Sequence, residues 1–340
     1  MRAVKVGTPG QAVWVDQAAP SLQPGDLLLS PLACGICSSD IKSVRRGHQG
    51  PNPWALGHEL VARVVQSDNP DHPAGQRVVV APYLPCGECH FCLRGQPTLC
   101  ERLFDNTPDP GGLAELVRVP AALARRGLLP APDNLSSDVA ALAEPLACCV
   151  HAAEACGIQA GDTVLVVGDG PMGLLNAAVA RTCGAAQVIV SGMTPARLTL
   201  ASQTYADRVI DVRQENLAQE VKGVTEGRGA DAVIVAVSSA SAAESGLSAL
   251  RRGGAFNMFA GTSEGTGMSL DLKKLHYDEW RLTGSFGAAP THLQKAIDLL
   301  SAGSVDVAPL ITGRFPFERS LDAVDHMMGL IGMKAVVLFE

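Results

Sequence analysis

The chain has 340 residues, more than one ordinary hydrophobic core accommodates, which implies about two domains. Its composition, 47% hydrophobic and 18% charged with 35 glycines, is that of a globular α/β protein. A net charge of −7 without a basic, aromatic-interleaved run argues against a nucleic-acid partner. No apolar run approaches the roughly 18 residues of a membrane span. The opening MRAVKVGTPGQAVWVDQ alternates like a strand and lacks the apolar core of a signal peptide, so the expected location is the cytoplasm.

Roughly the first 150 residues are expected to be β-rich. Short runs at Leu27–Leu29, Val61–Val65 and Arg77–Ala81 are separated by Pro24-Gly25, Pro51-Asn52-Pro53 and Pro73-Ala74-Gly75. After Glu144-Pro145 the character changes. Strands are expected at Thr163–Val167, Gln187–Val190, Arg208–Asp211, Asp231–Val237 and Ala255–Ala260. They alternate with helices near Met172–Cys183, Pro195–Tyr205, Leu217–Thr225 and Ala240–Leu250. Strand and helix in strict alternation predict an α/β fold with a doubly wound, parallel Rossmann sheet. A strand (Arg281–Phe286), a helix (Thr291–Ala302) and a last strand (Ala335–Phe339) follow.

The first of these strand–helix junctions carries Gly168-Asp-Gly170-Pro171-Met172-Gly173. G-x-G-x-x-G is weak alone, but here it directly follows an apolar strand and opens a helix. Gly168 permits the tight turn, Gly170 lets the backbone approach a pyrophosphate, and Gly173 lets the helix pack on the sheet. The helix N-terminus favours the phosphate charge. The expected ligand is a dinucleotide.

Four of the ten cysteines crowd one segment, Cys86-x2-Cys89-x2-Cys92-x7-Cys100. In a cytosolic chain this argues for metal rather than disulfides. An iron–sulfur run would place its fourth cysteine after three residues and before proline, which this segment does not do. Four thiolates suit a closed structural zinc with no chemistry of its own. Cys148, Cys149, Cys156 and Cys183 lie in apolar surroundings and are expected to be inert buried thiols.

A second set gathers around Cys34-Gly-Ile-Cys37-Ser-Ser39-Asp40, Gly57-His58-Glu59 and Glu144-Pro145. Cys37, His58 and a carboxylate would supply three protein ligands and leave a fourth position open, which distinguishes catalytic from structural zinc. Two zinc ions per chain are therefore expected.

With these motifs in place, the sequence resembles the zinc-containing medium-chain alcohol and polyol dehydrogenases, particularly the sorbitol and threonine dehydrogenase branch. The resemblance runs through G-I-C-S-S-D, G-H-E, the four-cysteine lobe, E-P-L, G-D-G-P-M-G and the tail Pro309-Leu-Ile-Thr-Gly-Arg-Phe-Pro. It implies a β-rich, GroES-like catalytic domain in two parts, residues 1–148 with the lobe at 86–100 and residues 275–340. The Rossmann domain would occupy 149–274. It also implies a homodimer or homotetramer. Carried over residue by residue, Cys37 and His58 match the zinc thiolate and imidazole. Glu59 and Glu144 match two glutamates of which one ligates directly and the other through water or on exchange. Ser39 matches the hydroxyl that begins proton removal, and Asp40 the carboxylate that orients the zinc histidine. The implied reaction interconverts a secondary alcohol of a sugar, polyol or cyclitol with its ketone. Alternatives are a simple alcohol or aldehyde, or a biosynthetic intermediate, as substrate. A zinc-free quinone or enoyl reductase and a redox sensor without turnover fit the ligand set less well.

Two features depart from the family. Lys42 stands where relatives carry a relay histidine, and Ser43 and Gly287 stand where sorbitol-type enzymes place an aromatic residue and a polyol-gripping arginine. The cofactor position departs too. NAD enzymes of this fold carry an acid at the end of the second strand, and here that place is Gly192. Space at Gly192, with the Thr194 hydroxyl and with Arg197 and Arg213 as cations that could turn toward the ribose, favours NADP, with NAD also used.

Overall fold

The computed structural model describes residues 1–48 and 55–339; the Pro51-Asn52-Pro53 punctuation lies outside the described residues. In chain order the strands are β1 (Arg2–Val6), β2 (Ala12–Asp16), β3 (Leu27–Gly35), β4 (Glu59–Gln66), β5 (Arg77–Val80), β6 (Val117–Val119) and β7 (Leu128–Pro130). Then come β8 (Thr163–Val167), β9 (Gln187–Gly192), β10 (Arg208–Asp211), β11 (Ala230–Val235), β12 (Leu250–Met258) and β13 (Arg281–Gly284), followed by β14 (Ile311–Pro316) and β15 (Lys334–Leu338).

Two compact units result: Met1–Ala147 with Ala288–Glu340, and Cys148–Gly287. The second junction is at Gly287, not near residue 274, because β13 adds in parallel to β12 and keeps that stretch in the second unit.

The first unit holds a sheet of order β14-β15-β3-β4-β5-β7, with β6 paired to β3, and the separate β1–β2 hairpin. The strand expected at Leu27–Leu29 runs on to Gly35. Pro31 is accommodated by a shift of register against β4 between Pro31 and Ala33, since proline cannot donate to a ladder. Burial alternates along β3, with Leu27, Leu29 and Ala33 fully buried. Thus β3 and β4 bring Gly35 opposite Glu59, next to the short helix Ser38–Arg46.

The second unit is a six-stranded sheet of order β10-β9-β8-β11-β12-β13, all of it parallel. Every residue of β8 and β11 is buried, as expected for central strands covered on both faces. The strand expected at Ala255–Ala260 begins earlier, at Leu250, with an irregularity opposite Ala230–Ala232. Each of these strands lies between two helices in chain order, and the order reverses at β8, where β9 and β11 lie on either side. Such a reversal opens a crevice at the carboxyl ends of the strands. No helix among the described residues is long and apolar enough to cross a membrane.

Candidate active site

Cys37, His58 and Glu59 converge: one ligand atom from each lies within 4.8 Å of the others. Cys37 is the N-cap of the helix Ser38–Arg46, and its sulfur accepts from the Ser39 N–H at 3.5 Å. Asp40 closes the cap from the third helical position. Its Oδ2 accepts from the Cys37 N–H at 3.0 Å, and its Oδ1 from the Gly57 N–H at 3.3 Å. The same Oδ1 stands 3.5 Å from His58 Nδ1. One buried carboxylate thereby fixes the backbone of the two segments that carry Cys37 and His58 and faces the histidine nitrogen opposite Nε2. Burial raises the Asp40 pKa, but the His58 charge and the hydrogen bonds it accepts outweigh that and hold it below the ordinary value. Burial alone would lower the His58 pKa; the adjacent Asp40 and Cys37 instead push it well above the usual range. The exposed Ser39 places its Oγ 3.5 Å from His58 Nε2.

Glu59 is fully buried, and the sequence does not betray what holds it. Lys334, at the start of β15, donates to both Glu59 oxygens at 2.5 and 2.6 Å and to the Ile36 carbonyl at 3.1 Å. Its only advance signal is a lone lysine heading an apolar terminal strand. Glu144, in the first turn of the helix Ala143–Cys156, lies outside the Cys37–His58–Glu59 cluster. It is nonetheless buried, and burial raises its pKa to about 7; Glu59 and Asp40 add to the rise, while His58 and Lys334 oppose it. A carboxyl of this kind can hold or release a proton near neutrality.

The four lobe cysteines also converge, their sulfurs all within 4.8 Å of one another. Zinc with sulfurs at about 2.3 Å defines a tetrahedron with edges of about 3.8 Å. Cys86 and Cys92 are 3.9 Å apart, close to that edge. Backbone N–H groups of Glu88 and Cys89 point at Cys86 Sγ, and those of Cys86 and Arg102 at Cys100 Sγ, at 3.2–3.4 Å. Donors of this kind stabilise thiolates. The Glu88 N–H and the Arg102 guanidinium lower the Cys86 pKa to about 6, while burial pushes Cys92 up to about 12. The donor set fits zinc and leaves no open position. Of the remaining cysteines, Cys149 and Cys156 are buried, and Cys148 and Cys183 are half-buried.

In the parallel unit, Gly170 caps the helix Pro171–Thr182, with Pro171 at its first position and Met172 next. A Cβ on Gly173 would lie 1.9 Å from the Gly168 carbonyl oxygen, so only glycine permits this helix to approach the turn. A Cβ on Gly170 would meet nothing within 4 Å, which leaves the backbone there open to a phosphate. The space expected at Gly192 is not open. Asp169, from the glycine turn, fills it and accepts from the Met193 and Thr194 N–H groups at 2.9 and 2.7 Å. Arg213, one of the cations considered for that position, is clasped by Asp211, with Nε and Nη2 donating at 2.9 and 2.5 Å. Thr194 caps the helix Pro195–Thr204, and Arg197 lies half-buried in its first turn.

A domain described as the GroES-like domain of alcohol dehydrogenases matches residues 23–133, and one described as zinc-binding dehydrogenase matches residues 171–302. The chain belongs to the zinc-binding alcohol dehydrogenase family, within its polyol dehydrogenase branch. It is 33% identical to the D-arabitol-phosphate dehydrogenase of Enterococcus avium over 339 residues, covering 96% of this chain and 94% of that one. The sorbitol dehydrogenase of Bacillus subtilis is 30% identical over 317 residues, covering 91% and 88%. A zinc-binding dehydrogenase from Sinorhizobium meliloti, solved bound to NADP, superposes with a TM-score of 0.90 at 27% identity over 99% of each chain. The protein is thus an oxidoreductase of this family, with the α/β architecture its sequence predicts.

Proposed function

We propose that the protein oxidises a secondary alcohol of a polyhydroxylated substrate, a sugar, polyol or cyclitol, to its ketone and catalyses the reverse reduction. The observation that carries this is the meeting of Cys37, His58 and Glu59 in a chain that aligns along nearly its whole length with polyol dehydrogenases. Cys37 and His58 would hold the catalytic metal, with Glu59 or Glu144 as the third ligand and Cys86, Cys89, Cys92 and Cys100 holding a second zinc. Zinc in the first site would supply Lewis acidity at the substrate oxygen, and a nicotinamide dinucleotide would accept the hydride.

The chain's own residues do the rest. Asp40 Oδ1, 3.5 Å from His58 Nδ1, would hold the proton there and leave Nε2 to a metal when one is bound. Ser39 Oγ, exposed beside that nitrogen, takes the substrate hydroxyl proton and passes it outward; Lys42, on the same helix and exposed, leaves water as the acceptor. Gly168, Gly170, Pro171, Met172 and Gly173 would seat the pyrophosphate, with Gly192, Thr194 and Arg197 near the adenosine. The working form is proposed to be a cytoplasmic homodimer or homotetramer, which light scattering of the purified protein checks.

The test is turnover of the purified protein on a panel of open-chain polyols, cyclic polyols, sugars and simple alcohols, with each dinucleotide, before and after chelation. Polyhydroxylated substrates should be preferred, and activity should vanish on chelation and return with zinc. Preference for a simple primary alcohol would refute the substrate class, and full activity of the zinc-free protein would refute the metal role.

A further inference from the structure

Rossmann folds that prefer NAD place a carboxylate at the end of the second strand, where it accepts from the adenosine ribose 2′-OH. The end of that strand here is Gly192, which has no side chain, yet a carboxylate stands beside it. It is Asp169, the residue between the first two glycines of the turn.

Three observations fix it there. A Cβ built on Gly192 would lie 2.4 Å from Asp169 Cβ, Cγ and Oδ2, so the Asp169 side chain occupies the volume that a residue-192 side chain would take. Its Oδ2 accepts from the N–H groups of Met193 and Thr194, the two residues that follow the strand. And Asp169 is buried, only 9% exposed, so both backbone bonds are shielded from competing water. Both fall on Oδ2; among the described residues Oδ1 accepts none. The glycine at 192 is thus the consequence of an acid supplied from elsewhere.

Resting on the reading that this unit binds a nicotinamide dinucleotide, we propose that Asp169 is the specificity-determining residue for the cofactor and that it selects NAD over NADP. The carboxylate does from the first loop what an acid at the second strand's end does in other Rossmann folds: Oδ1 accepts the ribose 2′-OH. A 2′-phosphate at the same place would bring like charges together in a partly desolvated site. Arg213 lies within electrostatic reach of Asp169, but Asp211 holds its guanidinium through two nitrogens and balances its charge, so little is left to offset that repulsion. NAD preference then reverses the expectation drawn from Gly192 alone.

The test reads binding, not turnover. Kd values for NADH and NADPH are measured by nucleotide fluorescence, and for AMP and 2′,5′-ADP by calorimetry, on the zinc-loaded protein. The wild type is expected to bind NADH at least tenfold tighter than NADPH. Asp169→Asn keeps the shape but loses the charge, and should reduce that ratio about tenfold. Since Asp169→Asn also weakens two backbone contacts, a second variant guards against a purely structural loss. Asp169→Gly with Gly192→Asp moves the carboxylate back to the strand end and vacates the clashing volume, and should restore the NADH preference. A wild type that binds NADPH as tightly as NADH overturns the inference while leaving the dehydrogenase reading intact. So does an unchanged ratio in Asp169→Asn. Binding of neither dinucleotide would remove the dehydrogenase reading and this inference with it.

Discussion

Replacing Lys334 by methionine removes one partner of a fully buried ion pair and leaves the other in place. The side chains of Lys334 and Glu59 are 3% and 0% exposed, and the ammonium touches both carboxylate oxygens. At about 2.6 Å and an effective dielectric near 20, the gross attraction is about 6 kcal/mol, which roughly offsets the cost of burying two ions. The pair therefore adds little net stability, but breaking it from one side is costly. Glu59 would be left buried without its two ammonium hydrogen bonds, opposite Gly35 and with the His58 ring and the Cys37 sulfur near its oxygens, at about 3–5 kcal/mol. Burial alone would lower the Lys334 pKa, but Glu59 raises it above the ordinary value. The stabilisation is thus present at neutral pH and lost only as pH climbs through that raised value. The chain has two units, so one global transition is a poor measure. Hydrogen exchange of the β3 and β4 amides in metal-free protein reports on the right one. Lys334→Met should accelerate exchange there by a factor corresponding to about 3–5 kcal/mol. The double variant Lys334→Met, Glu59→Gln should recover more than half of that loss. A single-variant cost below about 1 kcal/mol, or additive effects in the pair, would refute the reasoning.

Four further outcomes are expected. Asp40→Asn should weaken zinc binding at the Cys37–His58 site about 10–100-fold while the helix Ser38–Arg46 persists; unchanged affinity against a competing chelator counts against the orienting role. Cys89→Ser should leave residues 86–100 open to proteolysis even with zinc present, because metal binding and folding of the lobe are coupled; a resistant lobe contradicts this. Gly173→Ala should cost about 1–3 kcal/mol and weaken dinucleotide binding at least tenfold, since the new Cβ meets the Gly168 carbonyl at 1.9 Å; calorimetry with NADH checks it. Burial pushes the Asp231 pKa up, but the Thr163 N–H and the guanidinium groups of Arg251 and Arg228 outweigh it and hold the pKa below the carboxylate norm. Its contribution is therefore full above the unfolded value near 4 and lost as pH falls through the lower folded value; the gap in β8 and β11 amide-exchange protection between wild type and Asp231→Asn should be wide at pH 6 and shrink toward pH 3, and a constant gap would contradict the linkage.

The parallel unit was legible because its determinants are local. A buried strand such as Thr163–Val167 is a continuous apolar run, and the glycine turn after it has one spacing that suits a phosphate. Its boundaries were less so. Gly253 and Gly254 lie inside β12, and glycines there read as a break in the strand; only the pairing of Leu250 with Ala230 of β11 carries it back that far. The lobe sulfurs were legible for the same local reason, since four ligands within fifteen positions meet through short turns.

What the sequence hid was complementarity between distant positions. Lys334 and Glu59 are 275 residues apart, and nothing in the local pattern of either names the other. At Gly192 the hidden partner was nearer, yet it reversed the chemistry: a glycine read alone is an empty place, whereas beside Asp169 it is the clearance that lets another residue's carboxylate in. The two cases share a physical rule. A buried charge needs a partner or several donors, so an acid in an unlikely position, within G-x-G-x-x-G or in a buried strand, is a demand for contacts that the fold has to supply from elsewhere. Asp169 and Glu59 are both such acids. Each marks the point where its unit departs from a plain scaffold: one between the glycine turn and the end of β9, the other beside Cys37 and His58.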